Sequence, residues 1–391
     1  MPYDMQSPPG ARTLINGRWR DYFSGTGYLG LQGHPGLLAA ASEALARFGL
    51  TTATSRGGYG EHPLFTSVEA AAARYWGSDG ALYTVSGYLG NAILLQALAG
   101  DFERIFVDAS SHFSAWDAAR AAGVPVHAFR HGDPGHLTAV LLRRLRPGER
   151  PLLLTDGVFP ISGEIAPLPA YLAVLREYAG AVVCLDDAHA TGVLGAGGRG
   201  TQEHWNDASV GVGQTEHGTA SRPRVSENGV TVYAAHTLSK ALGGHGGVIP
   251  GDAVWIERLN RVPIPGAGSP SPLPAAAAAA WALRYVHDHP ERRQGMQDNV
   301  AYARAALQRA GWELEDFPVP ILCLHAGNWS RGGPAPDLAR LQQDLFARDI
   351  CVAHVTRYSS TPPGGALRIA IFATHTREQI DGLAEACDAL A

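Results

Sequence analysis

Five short apolar runs constrain this chain more than any other feature: "RIFVDAS" (104–110), "PVHAFR" (125–130), "PLLLTD" (151–156), "AVVCLDD" (181–187) and "VTVYAA" (230–235). Each is a stretch of mostly branched apolar side chains bounded by turn residues or helical segments. A strand with apolar residues on both faces has no solvated side, so it belongs in a parallel sheet covered by helices above and below. The segments before and between the runs supply helices. "GLLAAASEALARFG" (36–49) puts Leu38, Ala41, Leu45 and Phe48 at helical spacing, and "VEAAAARYW" and "LGNAILLQAL" read as two more. The expected architecture is α/β, with sites at the carboxyl ends of the strands. The chain has 391 residues, 46% of them hydrophobic, which suits one large domain and a smaller one.

The rest of the chain sets the boundaries. Residues 2–21 read as an irregular N-terminal arm. Gln202 to Asn228 is rich in Gly, Ser, Thr and Asn without an apolar period and reads as a long surface loop. "RVPIPGAGSPSPLP" (261–274) looks like the join to a C-terminal part, giving an arm at 1–35, a large domain at 36–274 and a small α+β domain at 275–391. Ala275 to Ala280 is apolar but short and reads as helix. A last helix is marked by a Thr376/Gln379 capping box, with Ile380, Leu383, Ala384 and Cys387 at helical spacing. A net charge of −5 with no basic run argues against nucleic acid and anionic membrane as partners. No apolar run reaches about 18 residues, so no membrane span is expected. The N-terminus lacks a secretory pattern. Cys184, Cys323, Cys351 and Cys387 have no metal-type spacing and read as buried free thiols of a reducing cytoplasm.

Three segments carry chemistry. "VVCLDDAHATG" (182–192) ends a buried strand in two aspartates and adds His189 three residues beyond Asp186. Carboxylates are costly to bury unless something positive meets them, and a bare "DD" alone is an ordinary solvated strand exit. "AAHTLSKALGGHGG" (234–247) places Lys240 after a strand, with hydroxyls at Thr237 and Ser239 and glycines behind that permit close backbone approach. The commonest fate of a lysine is the surface. One held in a desolvating, cation-rich site has a lowered pKa and forms Schiff bases. In "YTVSGYLGNA" (83–92), Ser86, Gly87 and Tyr88 precede an apolar helix, which suits either a phosphate site or a plain N-cap. A phosphate cradle, a strand-end carboxylate and a lysine after a later strand are together what pyridoxal phosphate needs.

At this point the chain resembles the fold-type I pyridoxal-phosphate enzymes, and within them the α-oxoamine synthase family. The similarity runs from "YLGLQGHP" (28–35) to "ALRIAIFATHTREQI" (366–380), through "TDGVFPISGEIAPLP", "LDDAHATGVLGAGGRGT" and "HTLSKALGG" in order. The resemblance implies a large, mostly parallel sheet domain with a smaller C-terminal domain, a homodimer with a shared site, and these roles. Lys240 holds the cofactor's aldehyde. Asp186 pairs with the ring nitrogen and His189 with the ring hydroxyl. Gly87, Tyr88 and Thr237 bind the phosphate, and His112 stacks over the ring. Arg368 grips the carboxylate of an amino-acid substrate.

Departures from the family pattern sit around the substrate. Thr26 and Gly27 replace an asparagine and its neighbour, placing Thr26 near the substrate carboxylate. Pro160 replaces a serine beside the ring. His236 replaces a glycine and is a candidate extra acid or base. "SPSPLP" (269–274) has Pro270 at a threonine that reaches the partner's phosphate, leaving Ser269 and Ser271 to substitute. The family's helical N-terminal extension is largely absent, and the loop before Lys240 is longer. The resemblance implies condensation of an amino acid with an acyl thioester of CoA or a carrier protein, with decarboxylation to an α-aminoketone. The departures leave open transamination, aldol cleavage or decarboxylation without a thioester. A non-catalytic subunit on the same fold is a third reading, disfavoured by the presence of Lys240, Asp186 and His189.

Overall fold

The computed structural model describes residues 3–209, 224–225, 229–358 and 361–390. Its strands are β1 (Arg12–Ile15), β2 (Arg18–Tyr22), β3 (Gly80–Thr84), β4 (Arg104–Asp108), β5 (Val126–Phe129), β6 (Pro151–Asp156), β7 (Val182–Asp186), β8 (Arg224–Val225), β9 (Thr231–Thr237), β10 (Gly247–Gly251), β11 (Ile321–Leu324), β12 (Ile350–Cys351), β13 (Ala353–Val355) and β14 (Ala366–Ala370). The large sheet runs β3-β10-β9-β7-β6-β4-β5, with β8 beside β9. All five expected runs form strands, and these pair in parallel. β10 pairs antiparallel with both β9 and β3.

Side-chain alternation explains why the runs are continuously apolar. Ile105, Val107, Leu152, Leu154, Val182 and Cys184 enter one core; Phe106, Leu153, Val183 and Leu185 enter another. Helices cover both faces, so neither half of a strand meets water. The register sets Asp156 opposite Asp186 and Asp186 opposite Ala235. The loops after β6, β7 and β9 therefore leave the sheet at one edge. The C-terminal part holds the antiparallel sheet β11-β14-β13 and the helices Glu291–Arg309, Leu338–Ala347 and Arg377–Leu390. The last of these has the expected capping box: the Gln379 N–H donates to Thr376 Oγ1 (3.3 Å) and the Thr376 N–H to Gln379 Oε1 (3.0 Å). The four cysteines are buried and unpaired. No helix among the described residues is long and apolar enough to cross a membrane.

Two expectations are corrected. The N-terminal arm is not irregular, because β1 and β2 form a hairpin. Asn16 and Gly17 turn it, with φ of 52° and 74°, the geometry that Asn-Gly favours in two-residue hairpins. Residues 202–209 are not loop: they belong to the helix Thr201–Ser209. Asp187 holds that helix's start, accepting the Thr201 N–H (3.0 Å) and hydroxyl (2.6 Å). Residues 210–223 and 226–228 of the expected loop lie outside the described residues, and Arg224–Val225 is strand. In the helix Pro35–Phe48, Leu37 and Ala44 are the buried residues, whereas Leu38, Leu45 and Phe48 face outward. Within the proline-rich segment, the helix Leu273–Asp288 begins at Leu273 and packs on the helices Pro35–Phe48 and Pro63–Trp76.

Candidate active site

A cavity of about 230 Å³ lies at the carboxyl edge of the large sheet. β3 leads to Ser86, Gly87 and Tyr88 in its wall, and β4 leads to His112 and Ser114. β6 ends in Asp156. β7 ends in Asp186, with Ala188 and His189 beyond, and β9 leads to Thr237, Ser239 and Lys240. All seven residues expected to hold the cofactor converge here.

Each side chain is held for a local reason. Asp186 accepts from Asn91 Nδ2 (2.8 Å), Ser114 Oγ (3.3 Å) and the Ala188 N–H (3.1 Å), so its carboxylate is fixed. His112 caps the helix Phe113–Ala121: its Nδ1 accepts from the Ser114 N–H (3.1 Å). The His112 N–H donates to both oxygens of Asp156, at 3.1 and 3.2 Å. Burial lowers the His112 pKa, with Asp186 opposing. His189 Nδ1 meets the Tyr28 hydroxyl at 2.8 Å, and burial together with Lys240 and Arg368 pushes its pKa well below the ordinary value. Gly87 permits a close approach, since a Cβ there would come within 2.6 Å of Thr237 Oγ1. That hydroxyl is 2.8 Å from Ser239 Oγ. The loop carrying Lys240 folds back at Gly246, φ 100°, where a Cβ would sit 2.5 Å from Thr84 O.

Lys240 is the only lysine in the chain; the other 30 of the 31 basic residues are arginines. Its amine has no hydrogen-bond or ion-pair partner among the described residues. Burial lowers its pKa, with Asp186 and Asp156 opposing. The donor set fits pyridoxal phosphate: an unpaired amine for the aldehyde, a fixed carboxylate for the ring nitrogen, and hydroxyls and a glycine turn for the phosphate.

The comparisons agree with this geometry. The aminotransferase class I and II family profile matches residues 24–387. An 8-amino-7-oxononanoate synthase from Methylococcus capsulatus is 33% identical over 98% of this chain and 92% of its own length. The biotin biosynthesis bifunctional protein of Corynebacterium kroppenstedtii is 34% identical over 98% of the chain, which spans 55% of that larger protein. The solved serine palmitoyltransferase of Sphingomonas wittichii superposes with a TM-score of 0.84 at 25% identity, covering 99% of this chain and 91% of that one.

The chain belongs to the α-oxoamine synthase family.

It is thus a fold-type I pyridoxal-phosphate enzyme, as its resemblance implied. Residues that distinguish it from the common α-oxoamine synthase pattern fall outside the cavity wall. Arg368, on β14, is buried behind Tyr28; it donates to Pro160 O (2.5 Å), Gly25 O (2.8 Å) and Tyr28 Oη (2.9 Å), which leaves two of its five N–H groups for a substrate. Pro160 serves through its carbonyl, not its ring. Thr26 adjoins Gly25 and does not line the cavity. His236 is corrected: it does not line the cavity either. Strand alternation turns it away from Thr237, against the Trp76 ring at 4.5 Å, and its Nδ1 bonds Thr191 Oγ1 at 2.9 Å. Burial takes its pKa down to about 3, which together with its place outside the cavity wall argues against a role as the extra acid or base. Ser271 is buried beside Tyr83, and Ser269 is exposed.

Sequence reasoning missed Asp156, Asn91, Ser114 and Tyr28. Asp156 had a signal, because it ends an apolar run as Asp186 does. Its pKa is raised well above the usual carboxylate range by burial and then by Asp186. The other three are ordinary residues in apolar segments, and only the fold brings them to the site.

Proposed function

We propose that this protein condenses an amino acid with an acyl thioester and releases CO2, giving an α-aminoketone. The observation that carries the reading is Lys240, a lone, unpartnered lysine in a cavity shared with Asp186, His189 and His112. The names of the relatives support the class: one contains an amino-oxo product, another an amino acid and an acyl group. When bound, pyridoxal phosphate supplies an aldehyde for the substrate amine and a ring that accepts the electron pair left at the α-carbon.

The chain's own groups do the rest. Arg368, pinned by three acceptors, presents its remaining N–H groups to the substrate carboxylate and orients the α-carbon. Lys240, with its pKa lowered, spends more time as a free amine and takes the α-proton. With the cofactor bound, Asp186, fixed by Asn91, Ser114 and Ala188, would hold a proton on the ring nitrogen. His189 would donate to the ring hydroxyl. His112 would lie against the ring and offer its other nitrogen to the acyl carbonyl. Ser239 adds a hydroxyl to the phosphate contacts of Gly87, Tyr88 and Thr237.

We place the enzyme in the cytoplasm, where four unpaired buried cysteines are stable, and read it as a homodimer. The outward row Leu38, Leu45 and Phe48 supports the dimer, extended by Leu50, which is 62% exposed. Leu50 O accepts the Leu273 N–H (2.9 Å), so this patch adjoins the segment bearing Ser269. Ser269, exposed there, is the hydroxyl offered to the partner's phosphate.

Borohydride treatment of the cofactor-loaded protein should place the reduced adduct on Lys240. Amino acids supplied with acyl-CoA should release CO2 and free thiol in equal amounts. Turnover of amino acids alone, with no thiol released from any donor, would overturn the proposal.

A further inference from the structure

Tyr28 is buried with no exposed surface, and its hydroxyl sits between two polar groups of opposite character. Arg368 Nη2 lies 2.9 Å away on one side and His189 Nδ1 2.8 Å away on the other. A guanidinium only donates. The Tyr28 oxygen therefore accepts from Arg368, which leaves its single proton free for His189 Nδ1, the polar atom on its other side. A neutral imidazole accepting at Nδ1 carries its hydrogen on Nε2. Nε2 has no protein partner among the described residues, and His189 lines the cavity.

We infer that Tyr28 is a positioning residue that makes His189 a hydrogen-bond donor to the cavity and ties that donor to Arg368. Three facts make the tie rigid. Arg368 cannot swing away, because Pro160 O and Gly25 O hold its other donors at 2.5 and 2.8 Å. Tyr28 cannot tilt freely, because its ring is fully buried and its backbone carbonyl accepts the Ala373 N–H at 2.8 Å. Charge-assisted donation from Arg368 polarises the Tyr28 O–H and strengthens its bond to His189. Burial and the nearby Lys240 and Arg368 keep the imidazole neutral, which the tautomer requires. Pro160 fits this arrangement: with no side-chain hydroxyl at that position, the donation to the ring hydroxyl falls to His189. A carboxylate that engages the two remaining N–H groups of Arg368 offsets its positive charge and so weakens the charge-assisted donation to the Tyr28 oxygen. Substrate binding at Arg368 is thereby felt at His189 through Tyr28.

The link between substrate and cofactor rests on the proposed function; the tautomer does not. The test uses the full-length protein labelled with 15N-histidine, with and without pyridoxal phosphate, and His189→Asn to assign the ring. In the wild type, His189 should show a protonated Nε2 and an unprotonated Nδ1 in both states. In Tyr28→Phe the two nitrogens should move toward averaged values. A protonated Nδ1 in the wild type overturns the inference without any variant, and so does a His189 signal unmoved in Tyr28→Phe. In the loaded enzyme, Tyr28→Phe should raise KM for the amino acid about tenfold, the scale of one hydrogen bond to a charged group. Arg368→Lys should move the His189 signals in the wild type and leave them still in Tyr28→Phe; movement in both overturns the tie. Protein that shows the expected tautomer but binds no cofactor refutes the proposed function and leaves the tautomer standing.

Discussion

Asp186 and Asp187 are adjacent and do different jobs because alternate strand residues face opposite sides. Asp186 faces the cavity under three donors. Asp187 faces the other way, caps the helix Thr201–Ser209, and has its pKa raised to about 7 by burial against the Thr201 hydrogen bonds. The same alternation separates Thr237 from His236. With a pKa of about 3 folded and about 6.5 unfolded, His236 stays neutral in the native protein while the unfolded chain protonates. A depressed native pKa means the stability it confers is full above about pH 6.5 and is lost as pH falls toward about 3. The unfolded state binds the extra proton, so the slope is about 1.36 kcal/mol per pH unit. His236→Gln should flatten the dependence of denaturant stability on pH between about 4 and 6 by that amount. It should leave the pH profile of turnover unchanged. An unchanged stability slope would mean that His236 is protonated in the native state.

Elements carry the site by tying strand ends together, and one partly buried cluster does this at the carboxyl ends of β4, β5 and β6. His131, after β5, bonds Asp108 at the end of β4 (3.0 Å) and Glu164 after β6. Asp108, with no exposed surface, also accepts from Tyr171 Oη (3.1 Å) and the N–H groups of Ser110 and Gly132. Although burial opposes it, bonding to both carboxylates raises the His131 pKa to about 10. Its contribution is full below about pH 6.5 and fades as pH rises through about 10. His131→Gln removes the cation beside buried Asp108, which keeps its three other donors, and should cost about 1.5–3 kcal/mol in urea unfolding at pH 6. The gap from wild type should narrow by pH 10, and an equal gap at both would count against an ion pair. This cluster was not legible in the sequence, since it joins residues 108, 131 and 164 through the sheet. The five parallel strands were legible, because burial on both faces writes itself as a continuous run. The β1–β2 hairpin was hidden by its charged residues, Arg12, Arg18, Arg20 and Asp21, although Asn16-Gly17 marked its turn. The cavity-lining residues Lys240, Asp186 and His189 could be proposed for the cofactor because they sit in recognisable blocks. Tyr28 opens such a block too, but its pairing with Arg368 and His189 joins segments far apart in the chain, and Asn91 has no signature at all.

At the scale of the whole molecule, the helix Pro35–Phe48 poses the remaining question. Its helical stripe of Leu38, Leu45 and Phe48 was read correctly as a period, yet it turns away from the core that Leu37 and Ala44 enter. An outward apolar row on a chain with an otherwise full core asks for a partner. A twofold contact buries each residue twice. Leu45 and Phe48 are already partly covered, so their further burial is worth about 2 kcal/mol per protomer and about 4 kcal/mol per dimer, roughly a thousandfold in the dissociation constant. Leu45→Glu with Phe48→Glu should therefore shift the species seen by light scattering from twice the 41.3 kDa of one chain to a single chain at micromolar concentration. Leu142→Glu is the control, since Leu142 is 74% exposed on the separate helix Pro134–Arg144. It should leave the mass unchanged. The monomer should also hold pyridoxal phosphate more weakly, because Ser269 no longer reaches a second cavity. A wild type that is monomeric, or a dimer indifferent to the double substitution, would remove both the interface and the proposed role of Ser269.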